Sequence, residues 1–149
     1  MAIWQYQLFF VPEEEIGSSF SKTDSIRIQD FDGIDWWKYR QLEISQFDMF
    51  ESILPRQKSW SDNVIIFGDE ANDCVVLLKE KNKIIEISAR IDLRNNFDVF
   101  LNYLCNTASE NNCVFLNDNL KILYPSYKTI KYDIENYDRY KSFLDKLKE

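Results

Sequence analysis

The residues best suited to chemistry in this chain lie in "ISARIDLRNNF", Ile87 to Phe97, where apolar and polar side chains alternate until Leu93. A period of two is that of a strand with one packed face, so Arg90, Asp92 and Arg94 share the other face. The chain has only six arginines, and two of them flank this aspartate. Guanidinium groups grip anions through paired hydrogen bonds, and a carboxylate between them could serve as a general base on an anionic metabolite. The plainer reading is a ladder of ion pairs on an exposed sheet face that leads into a helix. Contact with a partner is a third.

Three further constellations are candidates. In "GDEANDC", Asp69, Glu70 and Asp73 place oxygen donors on one short loop. A hard cation wants such donors, but the length and regular spacing of a calcium loop are absent, which leaves a solvated hairpin tip within an acidic recognition surface. In "DFDGIDWWKYR", Trp36 and Trp37 follow Asp30, Asp32 and Asp35 and precede Tyr39. Adjacent residues of a strand face opposite sides, so one tryptophan is expected to be partly exposed unless a loop wraps it. Core packing is the plainer reading of the pair, while aromatic rings beside acids are also what protein-binding hot spots use. Trp60, in "KSWSDN", is expected to lie as a lid over the sheet edge.

Several chemistries are excluded by composition. The chain has no histidine, which removes Ser-His-Asp and Cys-His catalysis and histidine-based metal sites or proton shuttles. Its three glycines stand apart at Gly17, Gly33 and Gly68, so no glycine-rich phosphate loop exists. Cys74, Cys105 and Cys113 form no CxxC pair and lie in apolar settings, as buried thiols in a reducing compartment do. No motif calls for a cofactor or a metal.

Charge separates the two halves. Residues 1–75 carry 14 acids and 6 bases, while residues 76–149 carry 11 acids and 12 bases, so the first half holds the whole excess behind the net charge of −7. A field of that sign repels nucleic acid and anionic membrane and attracts basic proteins. The longest apolar runs fall far short of the ~20 residues that cross a bilayer. "MAIWQYQLFFVPEEE" lacks the basic start and cleavage site of a secretion signal, so a cytoplasmic location is expected.

The elements that must position these groups are set by periodicity. Ile3 to Val11 predicts a strand, ended by Pro12 and an acidic turn, followed by a polar stretch with a short strand at Ser25 to Gln29. Ser45 and Asp48 open a short helix that carries Met49, Phe50, Ile53 and Leu54. Strands are predicted at Asn63 to Phe67, Cys74 to Lys79 and Lys83 to Leu93, the last with Ile85, Ile87, Ala89, Ile91 and Leu93 on its packed face. Asn95 caps a helix in which Phe97, Phe100, Leu101, Leu104, Cys105 and Ala108 recur at helical spacing. Two short strands around an Asn-Asp-Asn turn and a terminal helix through Tyr140, Phe143, Leu144 and Leu147 complete the chain, with "YKTIKYDI" suiting either strand or helix. The expected architecture is α+β: one two-layer domain over residues 1–149, a mainly antiparallel sheet with helices packed on one face and the polar face left free.

Taken together, "SWSDNVIIFGDE", the strand ending in "RIDLR", the helix after it and "CVFL" resemble small bacterial proteins of the toxin-immunity kind, which block a toxin by binding it. The resemblance implies an α+β fold, a cytoplasmic location and an inhibitory protein partner, and its motifs carry no chemical role. The leading expectation is a non-enzymatic protein-binding domain that engages a basic toxin through Trp36, Trp37, Tyr39, Asp30, Asp32, Asp35, Asp69 and Glu70. Its alternatives are a small enzyme or ligand-binding domain built on Arg90, Asp92 and Arg94, and an oligomeric structural subunit.

Overall fold

The N-terminal strand β1 (Gln5–Pro12) lies inside the sheet rather than at its edge. Its residues Tyr6, Leu8, Phe10 and Val11 are buried, the environment that aromatic and β-branched side chains favour. The computed structural model describes residues 2–20 and 25–149, so part of the polar stretch before Ser25 lies outside the described residues. Strands β2 (Arg56–Gln57), β3 (Val64–Gly68), β4 (Cys74–Glu80), β5 (Lys83–Asp92), β6 (Cys113–Asn117) and β7 (Ile122–Leu123) complete a seven-stranded sheet in the order β2-β3-β4-β5-β1-β6-β7. Every pairing is antiparallel. The outermost strands have two residues each, which leaves little edge for another chain to pair with.

One face carries the main core. Tyr6, Leu8 and Phe10 align through the register with Ile91, Ala89 and Ile87, and these with Val75 and Leu77. A 3₁₀ helix (Ile44–Ser52) and α3 (Asp98–Glu110) cover this face. Phe50 of the 3₁₀ helix packs between Phe67 of the sheet and Phe100 of α3, and Phe47 meets Phe10 edge-on. Helix α4 (Tyr127–Glu135) and then α5 (Asp138–Leu147) continue the layer. The Tyr6 hydroxyl donates to Asp133 over 2.6 Å and its ring meets Tyr137 edge-on, which ties α4 and its exit to β1.

The other face is not the free polar surface expected from β5. Phe9 and Val11 sit there beside Leu116 and Val114, and all but half-buried Phe9 are buried. The strict alternation of β5 misleads because strands further out in the sheet are apolar on both faces: β3, beyond β4, and β6, beyond β1, are buried at every position. Phe31 of α2 (Ile28–Gly33) packs on Phe9 with ring centroids 5.1 Å apart, so the segment after α1 (Glu13–Phe20) supplies a partial third layer.

Element boundaries depart from expectation for local reasons. The three glutamates after Pro12 form the first turn of α1 instead of a turn, where the amino end of a helix favours negative charge. Ser25 makes only an isolated bridge to Lys121, and the chain enters α2 where a strand is expected. The capping box is Glu43 with Gln46, ahead of the Ser45–Asp48 pair. Asn96, not Asn95, accepts the Asp98 amide at the start of α3, because the Asn95 side chain is directed to Asp92. "YKTIKYDI" is helical, with Ser126 accepting from the Thr129 amide.

Candidate functional site

The most distinctive local geometry lies where β1 and β5 part. Their pairing ends at Phe10 with Ile87, and the next partners in register would be Val11 with Glu86 and Pro12 with Ile85. Pro12 has no amide hydrogen to give. On the other side of β5, Leu78 faces Glu86 while Lys79 faces Ile84, so Ile85 is an extra residue. Such a bulge bends the strand and reverses the facing of the residues beyond it. Ile84 is therefore buried and Ile85 is 41% exposed, which corrects the expectation that Ile85 belongs to the packed face.

Residues after α2 fill the wedge. The Gln41 side chain acts as a substitute strand partner, accepting from the Ile84 amide at 2.8 Å and donating to its carbonyl at 3.0 Å. Arg40 anchors the segment by donating to the carbonyls of Asn111 and Asn112 and to Glu14, and its guanidinium stacks over Trp37. Between this segment and the sheet remains a cleft of about 210 Å³ whose walls include Phe9, Phe31, Asp32, Trp36, Leu78 and Glu86. Burial pushes the Glu86 carboxyl above its ordinary range. Among the described residues it has no hydrogen-bond or ion-pair partner.

The structure divides the expected partner-binding residues into three sets. Trp36 and Trp37 are both buried, at 5% and 1% exposure, which agrees with the core-packing reading and corrects their place among the partner-binding residues. The chain wraps around the sheet end here, so neighbours can both face inward; Trp36 donates to the Phe31 carbonyl and also forms a cleft wall. Tyr39 is exposed, with the Lys38 ammonium over its ring. Asp32 and Asp35 are exposed, while Asp30 pairs with Arg27 at 3.0 Å. Asp69 and Glu70 lie in the β3–β4 loop, at the opposite end of β4 from Leu78, so two acidic patches replace one continuous surface.

The Arg90, Asp92, Arg94 row is largely absorbed by that loop. Burial opposes charge on Asp92, yet bonds from the Arg94 guanidinium and amide outweigh it and hold the carboxyl below the usual range. Asn95 donates to the same carboxylate, and the Asp92 amide donates to Asp73 at 2.6 Å. Arg94 also stacks on Trp4 at 4.5 Å. Arg90 donates to the Glu70 carbonyl, which also accepts from Gln5. A second cleft, of about 250 Å³, is lined by Asp92, Asp73, Asn72 and Leu54 among others, but neither arginine contributes to its wall. A carboxylate so saturated, and held ionised, makes a loop clasp rather than a proton acceptor.

Other groups stay outside any assembled site. Burial pushes the thiols up, Cys74 and Cys113 to about 11 and Cys105 to about 12, so each is a neutral core residue. Among the described residues no three acidic or thiol side chains are placed to hold a metal ion. No helix of the described chain is long and apolar enough to cross a membrane. Trp60 is 84% exposed and forms no lid.

Sequence reasoning missed Glu86, Phe9 and Phe31. In the sequence Glu86 is one more polar residue of an alternating strand, and only the packing of Phe31 and Trp36 over that face makes it part of a cleft wall. No family model, curated protein or solved structure matches the chain.

Proposed function

We propose that this chain is a non-enzymatic protein-binding domain of the immunity type, which captures and blocks a basic toxin in the cytoplasm. The observation that carries the reading is the placement of the acidic segment. Asp32 and Asp35 project from a segment folded over an aromatic cleft, with Asp32 itself on the cleft wall. This lies within the half of the chain that holds 14 acids against 6 bases. Charge of one sign over an apolar depression supports a division of labour in which the charge speeds encounter and the buried contact slows release.

The test starts from co-expression with the product of the adjacent gene, where a stoichiometric complex is expected on co-purification. In that complex, charge reversal at Asp32 and Asp35 together should slow association by about tenfold or more at low ionic strength, with the difference shrinking as salt is added. Truncating Trp36 or Trp37 is not a clean test, because both are core residues and their loss would unsettle the fold. An adjacent basic product that fails to bind, or an association rate indifferent to both charge reversals, would overturn the reading.

A further inference from the structure

Building on that reading, we infer that the cleft between α2 and β5 receives one basic side chain of the partner, arginine in preference to lysine, with its cationic head on Glu86. Four observations converge on this occupant. First, Glu86 stands half-buried without a partner among the described residues, directly across from Leu78. A carboxylate withdrawn from water into apolar surroundings is costly until a cation meets it, and its carboxyl is accordingly pushed up by burial.

Second, the walls are aromatic. Phe31 lies 5.1 Å from Phe9 and 5.9 Å from Trp36, centroid to centroid, so its two neighbours form a continuous ring surface. Ring faces attract cations, and a planar guanidinium can stack on them while its edge bonds a carboxylate. Third, the volume of about 210 Å³ lies below the roughly 300–1,000 Å³ of small-molecule pockets and suits a single inserted side chain. Fourth, Asp32 at the rim has the same sign as Glu86, which steers a cation inward and turns away an anion.

The experiment uses isotope-labelled full-length protein and N-acetyl-arginine amide as the probe, with N-acetyl-norvaline amide as the uncharged control. Titration at constant ionic strength should shift the Trp36 indole and the backbone amides of Phe31 and Glu86, with a millimolar dissociation constant. The control should leave them in place. Glu86→Gln, which keeps the shape and removes the charge, should weaken arginine-amide binding by at least about tenfold. Failure of these shifts with the arginine probe, equal shifts with the uncharged control, or undiminished binding to Glu86→Gln would each overturn the inference. The functional reading can fail separately: cleft shifts with arginine amide but no complex with the basic product would refute toxin capture and leave the cation site standing. A complex sensitive to Asp32 and Asp35 but with no arginine-amide shifts would do the reverse.

Discussion

Gly68 shows how one residue can set a loop on which several others depend. Its φ of +86° lies in the left-handed region, and a Cβ there would stand 2.2 Å from the Asp73 carbonyl oxygen. Only glycine meets both demands. The turn it allows lets Asp69 donate to the Asp73 carbonyl and accept from the Ala71 amide, and it brings Asp73 to the Asp92 amide. Gly68→Ala is therefore expected to destabilise the fold by about 2 kcal/mol or more, read as a lower midpoint in urea unfolding. A loss within ~0.5 kcal/mol would show that the loop can rebuild without its clasp. At this scale the sequence is a good guide to residue type and a poor one to role. Arg94 stands out by its scarcity, but alternation alone does not show that its partner Asp92 is buried. Strand geometry would leave one of Trp36 and Trp37 partly exposed, whereas the chain in fact wraps a sheet end and buries both.

Among the elements, the β4–β5 hairpin is legible in the sequence and still holds a local conflict. Its two-residue loop, Lys81 and Asn82, has both residues at positive φ, 53° and 64°, the pattern of a type I′ turn. Asparagine tolerates that region, while lysine is strained there. The double substitution Lys81→Asn, Asn82→Gly should raise stability by about 1 kcal/mol, measured as a higher unfolding midpoint with an unchanged slope. No gain would mean that the bulge at Ile85, not the turn, limits the hairpin. That bulge also marks where sequence reading runs out. Strand existence depends on periodicity within a segment, so β3, β4, β5 and α3 lie nearly where the pattern puts them. Register belongs to two strands at once, and the shift at Ile85 depends on Leu78 and Lys79 of β4. Nothing inside "KIIEISARID" distinguishes Ile84 from Ile85 as the buried one. The helix in "YKTIKYDI" is undecidable from sequence for a related reason: Ile130 and Ile134 face the core at helical spacing, while Tyr132, which makes the strand reading equally good, is exposed.

For the whole molecule, the buried ionisable groups set how stability depends on pH. Burial raises the carboxyls of Asp73, Glu86 and Asp118. A group whose folded value lies above the unfolded one, near 3.9 for Asp and 4.3 for Glu, binds its proton better in the fold. Stability from these three is thus highest at acid pH and falls as pH rises from about 4 through their folded values. The net charge of −7 acts in the same direction, since self-repulsion grows as carboxyls ionise. Asp92, held low by Arg94 against its burial, and Glu14, held low by its bond to Arg40, act oppositely. Their contributions are present above about pH 4 and are lost as acid protonates them in the fold. On the alkaline side the thiols, at about 11 for Cys74 and Cys113 and about 12 for Cys105, stay neutral in the fold after those of the unfolded chain ionise near 8.5. Stability therefore declines again above about pH 8.5. The expected profile of urea midpoint against pH is highest in the mildly acidic range, declines gently toward neutrality, and drops more steeply above about 8.5 and below about 4. Glu86→Gln should flatten part of the decline that begins near pH 4, because it removes one carboxyl that the fold prefers to keep protonated. A midpoint that instead climbs steadily toward neutrality, unchanged by Glu86→Gln, would show that Glu86 is no more costly to ionise in the fold than in water.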